Sequence, residues 1–270
     1  VAERLGGAEG RLADLGCGGG DLCVEAARLG MNATGVDIAE GMIEQATRAA
    51  NALEPKVGSH LQFVLGDVLA SGLPEASFDA VTGLGLIEYL PEDGPLLREA
   101  YRLLRPGGVL VVSCRNRLFN LASLNEYTAR EVEDGDAGAL LGELERLGRD
   151  GLSMEALEEF ARRLADLAPA LRDALEEDRR VSAGAPGPRP SFGQDRRQHS
   201  PGDLAGSARE AGFTGSAFVG VHPHPFPPAA EPPAPRFYNH LARAFEALER
   251  EPLALTWSSA FLGVFTKPEA

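Results

Sequence analysis

The stretch Leu12-Ala13-Asp14-Leu15-Gly16-Cys17-Gly18-Gly19-Gly20-Asp21-Leu22 constrains this chain more than any other. Leu12 to Leu15 are too short a run to bury anything except as a central strand of a sheet. A helix-period run, Leu22, Val24, Ala26, Ala27 and Leu29, begins directly after the glycines. The unit is strand, turn, helix. Gly16, Gly18 and Gly20 let the backbone take positive φ and approach a ligand that any Cβ would push away, so the turn reads as a docking surface. A dinucleotide fingerprint would need glycine or alanine at position 21, where the chain has Asp21, and this weakens that reading. A P-loop would close on Gly-Lys-Ser/Thr, and no lysine is near.

At 270 residues the chain has room for one large α/β domain with an insertion. No apolar run approaches the roughly 18 residues that a membrane span requires, no stretch reads as a signal peptide, and no membrane partner is expected. The net charge of -14 disfavours a phosphate backbone as partner, so nucleic acid is not expected as a substrate. Three cysteines, Cys17, Cys23 and Cys114, form an odd set without metal-ligand spacing, and they point to a reducing cytoplasm and to no metal.

Downstream, Ala33 to Ile38 reads as a second strand that ends on Asp37. A carboxylate at that strand end can accept both hydroxyl hydrogens of a ribose, although Asp37 could instead cap the next helix. Ile38 and Met42 are apolar neighbours suited to a purine face. His60 to Leu65 reads as a third strand followed by Gly66-Asp67-Val68, and Ser77 to Gly85 as a fourth that carries Gly83 and Leu84 at its end. Leu96 to Leu104 is an amphipathic helix, and Arg105-Pro106-Gly107-Gly108 turns it into a fifth strand, Val109 to Ser113.

The spacing Asp14-x-Gly16-x-Gly18-x-Gly20, followed in order by Asp37, Asp67 and Leu104-Arg105-Pro106-Gly107-Gly108, resembles the class I S-adenosylmethionine-dependent methyltransferases, in particular the ubiquinone-biosynthesis-like branch that acts on small molecules. The resemblance covers residues 11–114. It implies S-adenosylmethionine as cofactor, held by Asp14, Gly16, Cys17, Gly18 and Gly20 at the turn. It further implies Asp37 on the ribose, Ile38 and Met42 flanking the adenine, Asp67 on the adenine amino group with Val68 against the ring, and Gly83 and Leu84 at the methionine end. Many relatives carry Glu-His where this chain has Glu88-Tyr89, so no base role passes to Tyr89. The family usually has covering helices before the first strand, and the short lead here implies a truncated or divergent start.

The implied fold is α/β: a Rossmann-like, seven-stranded, mostly parallel sheet with an antiparallel last strand and a helical insertion after the fifth. Residues 1–115 would form the cofactor-binding half, 116–198 a helical lid insertion with a linker, and 199–270 the completion of the sheet. Asn116, Asn120, Asn125 and Tyr127 leave the sheet at its ligand-binding edge and are substrate-loop candidates. From Glu126 to Asp178 apolar residues recur at helical period, predicting two to four helices with 16 acidic against 6 basic residues, a net of -10. Such a segment can be a substrate lid, a solvated insertion or a homodimer face. Val181 to Gln198 has no periodicity and reads as a linker. Ser200-Pro201 opens a helix, Ser216 to Val221 is a sixth strand, Arg236 to Glu249 a helix, and Leu253 to Phe265 a seventh strand broken near Ser258-Ser259.

His222 and His224 sit in a proline-stiffened loop after the sixth strand, and imidazole titrates near neutral pH. His222 is the candidate base, with Tyr127 orienting the acceptor. The expected reaction is methyl transfer to an oxygen or nitrogen of a small-molecule acceptor. A non-catalytic cofactor-binding or scaffold protein that uses the acidic helices for a partner is the alternative.

Overall fold

The structure is a computed structural model that describes residues 10–149, 151–181 and 196–269. The strand before the glycines spans Arg11–Leu15 (β1) and feeds the helix Asp21–Arg28 (α1). Asn32–Asp37 (β2), Glu40–Asn51 (α2), Pro55–Gly58 (α3), Leu61–Leu65 (β3), Phe78–Gly83 (β4) and Gly94–Leu103 (α4) continue the alternation, and Leu104–Asn116 (β5) follows. Then come Asn120–Ser123 (α5), Glu126–Glu133 (α6), Ala137–Gly148 (α7), Met154–Val181 (α8), Gln198–His199 (β6), Pro201–Glu210 (α9), Thr214–Pro223 (β7), Pro235–Phe245 (α10) and Ser258–Thr266 (β8).

The described residues group into two compact units. The first comprises those of Val1–Cys114, Asp203–Ala217 and Gly263–Ala270; the second comprises those of Arg115–Gly202 and Phe218–Leu262. The 199–270 segment is therefore divided between the two.

The strand order of the sheet is β3-β2-β1-β4-β5-β8-β7, with β1 to β5 parallel. Beyond β8, Lys267 exchanges backbone hydrogen bonds with Gly107 and Gly108 of β5, so β8 runs antiparallel to β5; Thr214 bonds Thr266 and Ser259 bonds His222, so β7 runs antiparallel to β8 and in the same sense as β5. Successive strands move outward from β1 on one side and resume at β4 on the other, which opens a crevice beyond the C-terminal ends of β1 and β4. β4 is buried along its length, so its two polar side chains need partners. Asp79 accepts the Arg11 amide at 2.6 Å and pairs with the Arg105 guanidinium at 2.6 Å, and Thr82 donates to Asp14. Leu96, Leu97, Ala100 and Leu103 put one apolar face of α4 into the core.

The second unit is built on α8 against α10. Phe160 meets Phe245 edge-on at 5.2 Å, and Phe245 meets Trp257 at 5.7 Å. Asp178, 2% exposed near the end of α8, accepts the Arg236 and Phe237 amides at 3.1 Å each. Those amides open α10, whose first-turn donors would otherwise be buried without acceptors.

Several expectations change. The expected linker falls largely outside the described residues. The insertion forms three helices between Glu126 and Val181, the longest running through Pro169. β5 starts at Leu104, earlier than expected, because Arg105 to Gly108 stay within the strand; a Cβ on Gly108 would lie 2.9 Å from the Arg105 carbonyl. Leu253 to Trp257 is not strand. Pro252–Thr256 is a 3-10 turn whose Leu255 carbonyl, with that of Ser258, is taken by the Asn116 side chain at 2.6 and 2.8 Å. β6 was not anticipated; its two residues pair with Arg115 and Asn116.

Asp178→Ala leaves two helix-start amides without their acceptor and the Arg236 guanidinium with Glu177 alone. It is expected to lower stability by about 1–2 kcal/mol, read from the urea midpoint. An unchanged midpoint would show that α10 does not depend on this cap.

Candidate functional site

The glycine turn follows β1 with Gly16, Gly18 and Gly20 at φ of 76°, 51° and 85°. The Gly16 and Cys17 amides donate to the Val36 carbonyl at 2.8 and 3.0 Å, which pins the turn to the next strand. Gly20 and Gly18 are glycine for different reasons. A Cβ at Gly20 would stand 2.7 Å from the Phe63 ring, so packing forbids it; a Cβ at Gly18 would meet no heavy atom within 4 Å. The bare Cα of Gly18 thus faces open space, a cradle that a side chain would fill.

Asp37 closes this turn. Its Oδ2 accepts the Gly18 amide at 2.9 Å and its Oδ1 the Ala39 amide at 2.9 Å. One carboxylate ties the turn to the loop that starts α2, and each oxygen keeps a lone pair for a ligand hydroxyl. Both the capping role and the ribose-accepting role are compatible with this geometry. Asp67 follows β3, the neighbouring strand, where Leu65 is in register with Asp37. It is exposed and accepts the Leu69 amide at 2.9 Å.

Around these groups, large apolar side chains stand in solvent. Ile38 is 76% exposed, and Met42, Leu65 and Leu84 are also exposed. They follow or end β2, β3 and β4, the strands on either side of β1. Leu65 was not singled out from the sequence; its register with Asp37 is the signal that could have found it.

Two expected contacts are corrected. Asp14 is only 4% exposed: Oδ1 accepts the Thr82 hydroxyl at 2.7 Å and Oδ2 faces the Cys23 thiol at 3.9 Å. It joins β1 to β4 and α1 and supports the turn from within. Val68 is buried, so its side chain serves the core and not a ligand ring. Cys17 contributes backbone alone, because its thiol is buried where a Cβ on Gly35 would meet it at 2.7 Å. Burial, reinforced by Asp14 and Asp37, pushes the Cys17 thiol up to about 12, and Cys23 and Cys114 also shift upward, chiefly through burial. None of the three is a thiolate at neutral pH. Gly83 closes buried β4, and the Gly85 amide donates to Ser113 Oγ at 2.7 Å.

The other candidates lie in the second unit. Asn116 and Asn120 are buried and structural: Asn120 Nδ2 reaches Glu131 at 2.7 Å and Gln198 at 2.6 Å. Asn125 caps α6, accepting the Tyr127 amide at 3.0 Å, and Arg130 lies over the Tyr127 ring at 5.5 Å. Asn116 and Asn120 are thus committed to the fold, while Asn125 is exposed. His222 is exposed, with a left-handed backbone at φ 54°. His224 is the better-defined imidazole. Its Nδ1 lies 2.9 Å from the Tyr238 hydroxyl, which itself donates to the Phe226 carbonyl at 2.6 Å. A phenol has one hydrogen, so His224 Nδ1 must be the donor to Tyr238, and the lone pair is left on Nε2. Burial, then the neighbouring His222, lowers the His224 pKa and keeps the ring neutral. Among the described residues no group of His, Cys, Asp and Glu is placed to hold a metal ion.

Burial raises the Asp14 carboxyl to about 6, against the hydrogen bonds from Thr82 and Cys23. Between about pH 4 and pH 6 the folded chain keeps a proton that the unfolded chain has released, so this group lowers stability as pH rises through that window. Asp14→Asn keeps an oxygen for Thr82 but cannot ionise. Relative to the parent it should gain up to about 3 kcal/mol between pH 4 and pH 7, read by urea unfolding at each pH. A difference independent of pH would contradict the assignment.

Comparison with known proteins agrees with this geometry. The family described as a methyltransferase domain matches residues 13–112. A ubiquinone biosynthesis O-methyltransferase of Pseudomonas fluorescens is 34% identical over 117 residues, 43% of this chain and 49% of that protein. The chain spans about half the length of the curated relatives it matches. Two solved structures share the fold: the cyclase SpnF, with a TM-score of 0.54 and 18% identity over 100% of this chain and 79% of that one, and an S-adenosylmethionine-dependent methyltransferase from Methanosarcina mazei, with a TM-score of 0.54 and 15% identity over 97% and 94%. The span from β1 to the middle of β5 is thus similar in sequence as well as in fold, and it is residues 13–112 that match the methyltransferase-domain family.

Proposed function

We propose that the protein transfers a methyl group from S-adenosylmethionine to an oxygen or nitrogen of a small molecule. The observation that carries this reading is the cradle at Gly18, open at its Cα and held by the Asp37 carboxylate. The residues present suit the cofactor: Gly16 to Gly20 offer backbone to its amino-acid end, with Gly83 and Leu84 beside it. Asp37 keeps lone pairs for the ribose hydroxyls, and Asp67 has acceptor oxygens for the adenine amino group. Ile38, Met42 and Leu65 would bury apolar surface against the purine, at about 25 cal/mol per Å² removed from water.

The bound sulfonium supplies an electrophilic methyl group. The chain's own task is to align the acceptor, exclude water and accept the proton that a hydroxyl acceptor releases. We assign that proton to the imidazoles of the His222 to His224 loop, with Tyr127 as the orienting residue. The support is imidazole chemistry near neutral pH, and the free Nε2 lone pair favours His224 over His222. The net charge of -14 supports a small acceptor over a nucleic acid. Three free, buried cysteines fit a reducing cytoplasm, and no helix of the described residues is long and apolar enough to cross a membrane. A homodimer through the acidic helices belongs to the same proposal.

Calorimetric titration with S-adenosylhomocysteine, paired with transfer of labelled methyl from S-adenosylmethionine to an acceptor library, tests the reading. Gly18→Val fills the cradle and Asp37→Ala removes the clamp, and each should weaken cofactor binding by about tenfold or more, or 1.4 kcal/mol. Cofactor binding that is absent in the parent, or unchanged in both variants, would reject the site.

A further inference from the structure

A second feature of the molecule lies wholly within the second unit. A cavity of about 680 Å³ opens beside His224 and Tyr238, with α10 and the outer parts of β7 and β8 as its walls. Its lining is strongly one-sided in charge. Glu231, Glu246 and Glu249 contribute carboxylates, and Arg243 is the cationic side chain among the lining residues, with no ion pair to any of the three among the described residues. His224 adds no positive charge, because burial and His222 hold it neutral.

The cavity also presents hydrogen-bond acceptors that no described residue uses. The Tyr238 hydroxyl, already committed to the Phe226 carbonyl, fixes His224 as the Nδ1–H tautomer. His224 Nε2 therefore carries a lone pair, and no described residue donates to it. Ser258, 1% exposed, lines the same cavity. Its Oγ has no hydrogen-bond partner among the described residues and lies against Gly220, where a Cβ would come within 2.4 Å of it.

A ligand for this site should bring hydrogen-bond donors and positive charge. An anion would face three carboxylates, and an apolar molecule would leave Ser258 and His224 unsatisfied. We infer that the cavity binds a small organic amine as its ammonium ion, the nitrogen donating to His224 Nε2 and Ser258 Oγ and drawn in by the carboxylates of Glu231, Glu246 and Glu249. As the choice of acceptor class, nitrogen over oxygen, this rests on the methyl transfer proposed above, for which the ammonium must first pass one proton to the His224 Nε2 lone pair so that its nitrogen is free to take the methyl group; as a binding site, it does not.

The test is calorimetry on the full chain without cofactor, using isosteric pairs: 2-phenylethylamine with 2-phenylethanol, and 1,5-diaminopentane with 1,5-pentanediol. Each amine should bind at least about tenfold more tightly than its alcohol, the scale that a few partly exposed ion pairs can supply. A triple variant, Glu231→Gln, Glu246→Gln and Glu249→Gln, should lose that preference, with retained S-adenosylhomocysteine binding as the control for folding. Arg243→Gln should strengthen amine binding, a change of sign that general damage to the fold would not produce. Amine and alcohol binding equally, or neither binding up to about 10 mM, would overturn the inference. Amine binding without any methyl transfer would support the cavity and reject the proposed function.

Discussion

The first unit depends on a carboxylate shared between two backbone amides. Asp37 stands at the end of β2 and accepts from Gly18 in one loop and Ala39 in the next, so a turn without side chains acquires a fixed shape. A glycine-rich segment loses more conformational entropy on ordering than any other, at about 1–2 kcal/mol per residue, and charge-assisted bonds of this kind offset that cost. Below the turn Asp14 performs the complementary task, linking β1 to Thr82 of β4 and facing Cys23 of α1. One acid is buried and tilted toward its protonated form; the other sits at the rim and keeps lone pairs outward. The strand order places both at the point where connections leave the sheet in opposite directions.

How much of this was legible in the sequence follows from which features are local. The glycine turn and Asp37 at a strand end were readable because each expresses a backbone requirement of its own few residues, whereas Arg105 to Gly108, read as a turn, run on as strand. The amphipathic face of α4 was readable because burial at helical period leaves a pattern. Asp14, Val68, Asn116 and Asn120 were misread for the opposite reason. Sequence shows that a residue is polar, or that it adjoins a loop, but not whether the fold surrounds it. Asn116 became a brace for the carbonyls of Leu255 and Ser258, more than a hundred positions away. Leu253 to Trp257 looked like strand by composition, yet Pro252 and that brace wind it into a 3-10 turn. His224 could be named as chemistry-bearing, but its partner Tyr238 and the single phenol hydrogen that decides the tautomer appear only with coordinates.

The acidic insertion shows the same contrast between composition and structure. Its charge reads as a solvated face, and much of it is: Arg162 pairs with Glu159 and Asp166 on the exposed side of α8, in i,i+3 and i,i+4 pairs worth a few tenths of a kcal/mol each. Two of its acids are different in kind. Glu131 is buried and takes Arg117 together with Asn120, and Asp178 caps α10. These two organise the second unit, while the remaining acids keep its surface charged.

Hydrogen–deuterium exchange with and without S-adenosylhomocysteine tests the central claim most directly, because it reads the turn and the strand ends amide by amide. The account predicts slowed exchange at residues 16–20, 37–42 and 66–69 of the first unit. Unchanged exchange across those segments at saturating ligand, or protection confined to other strands, would contradict it.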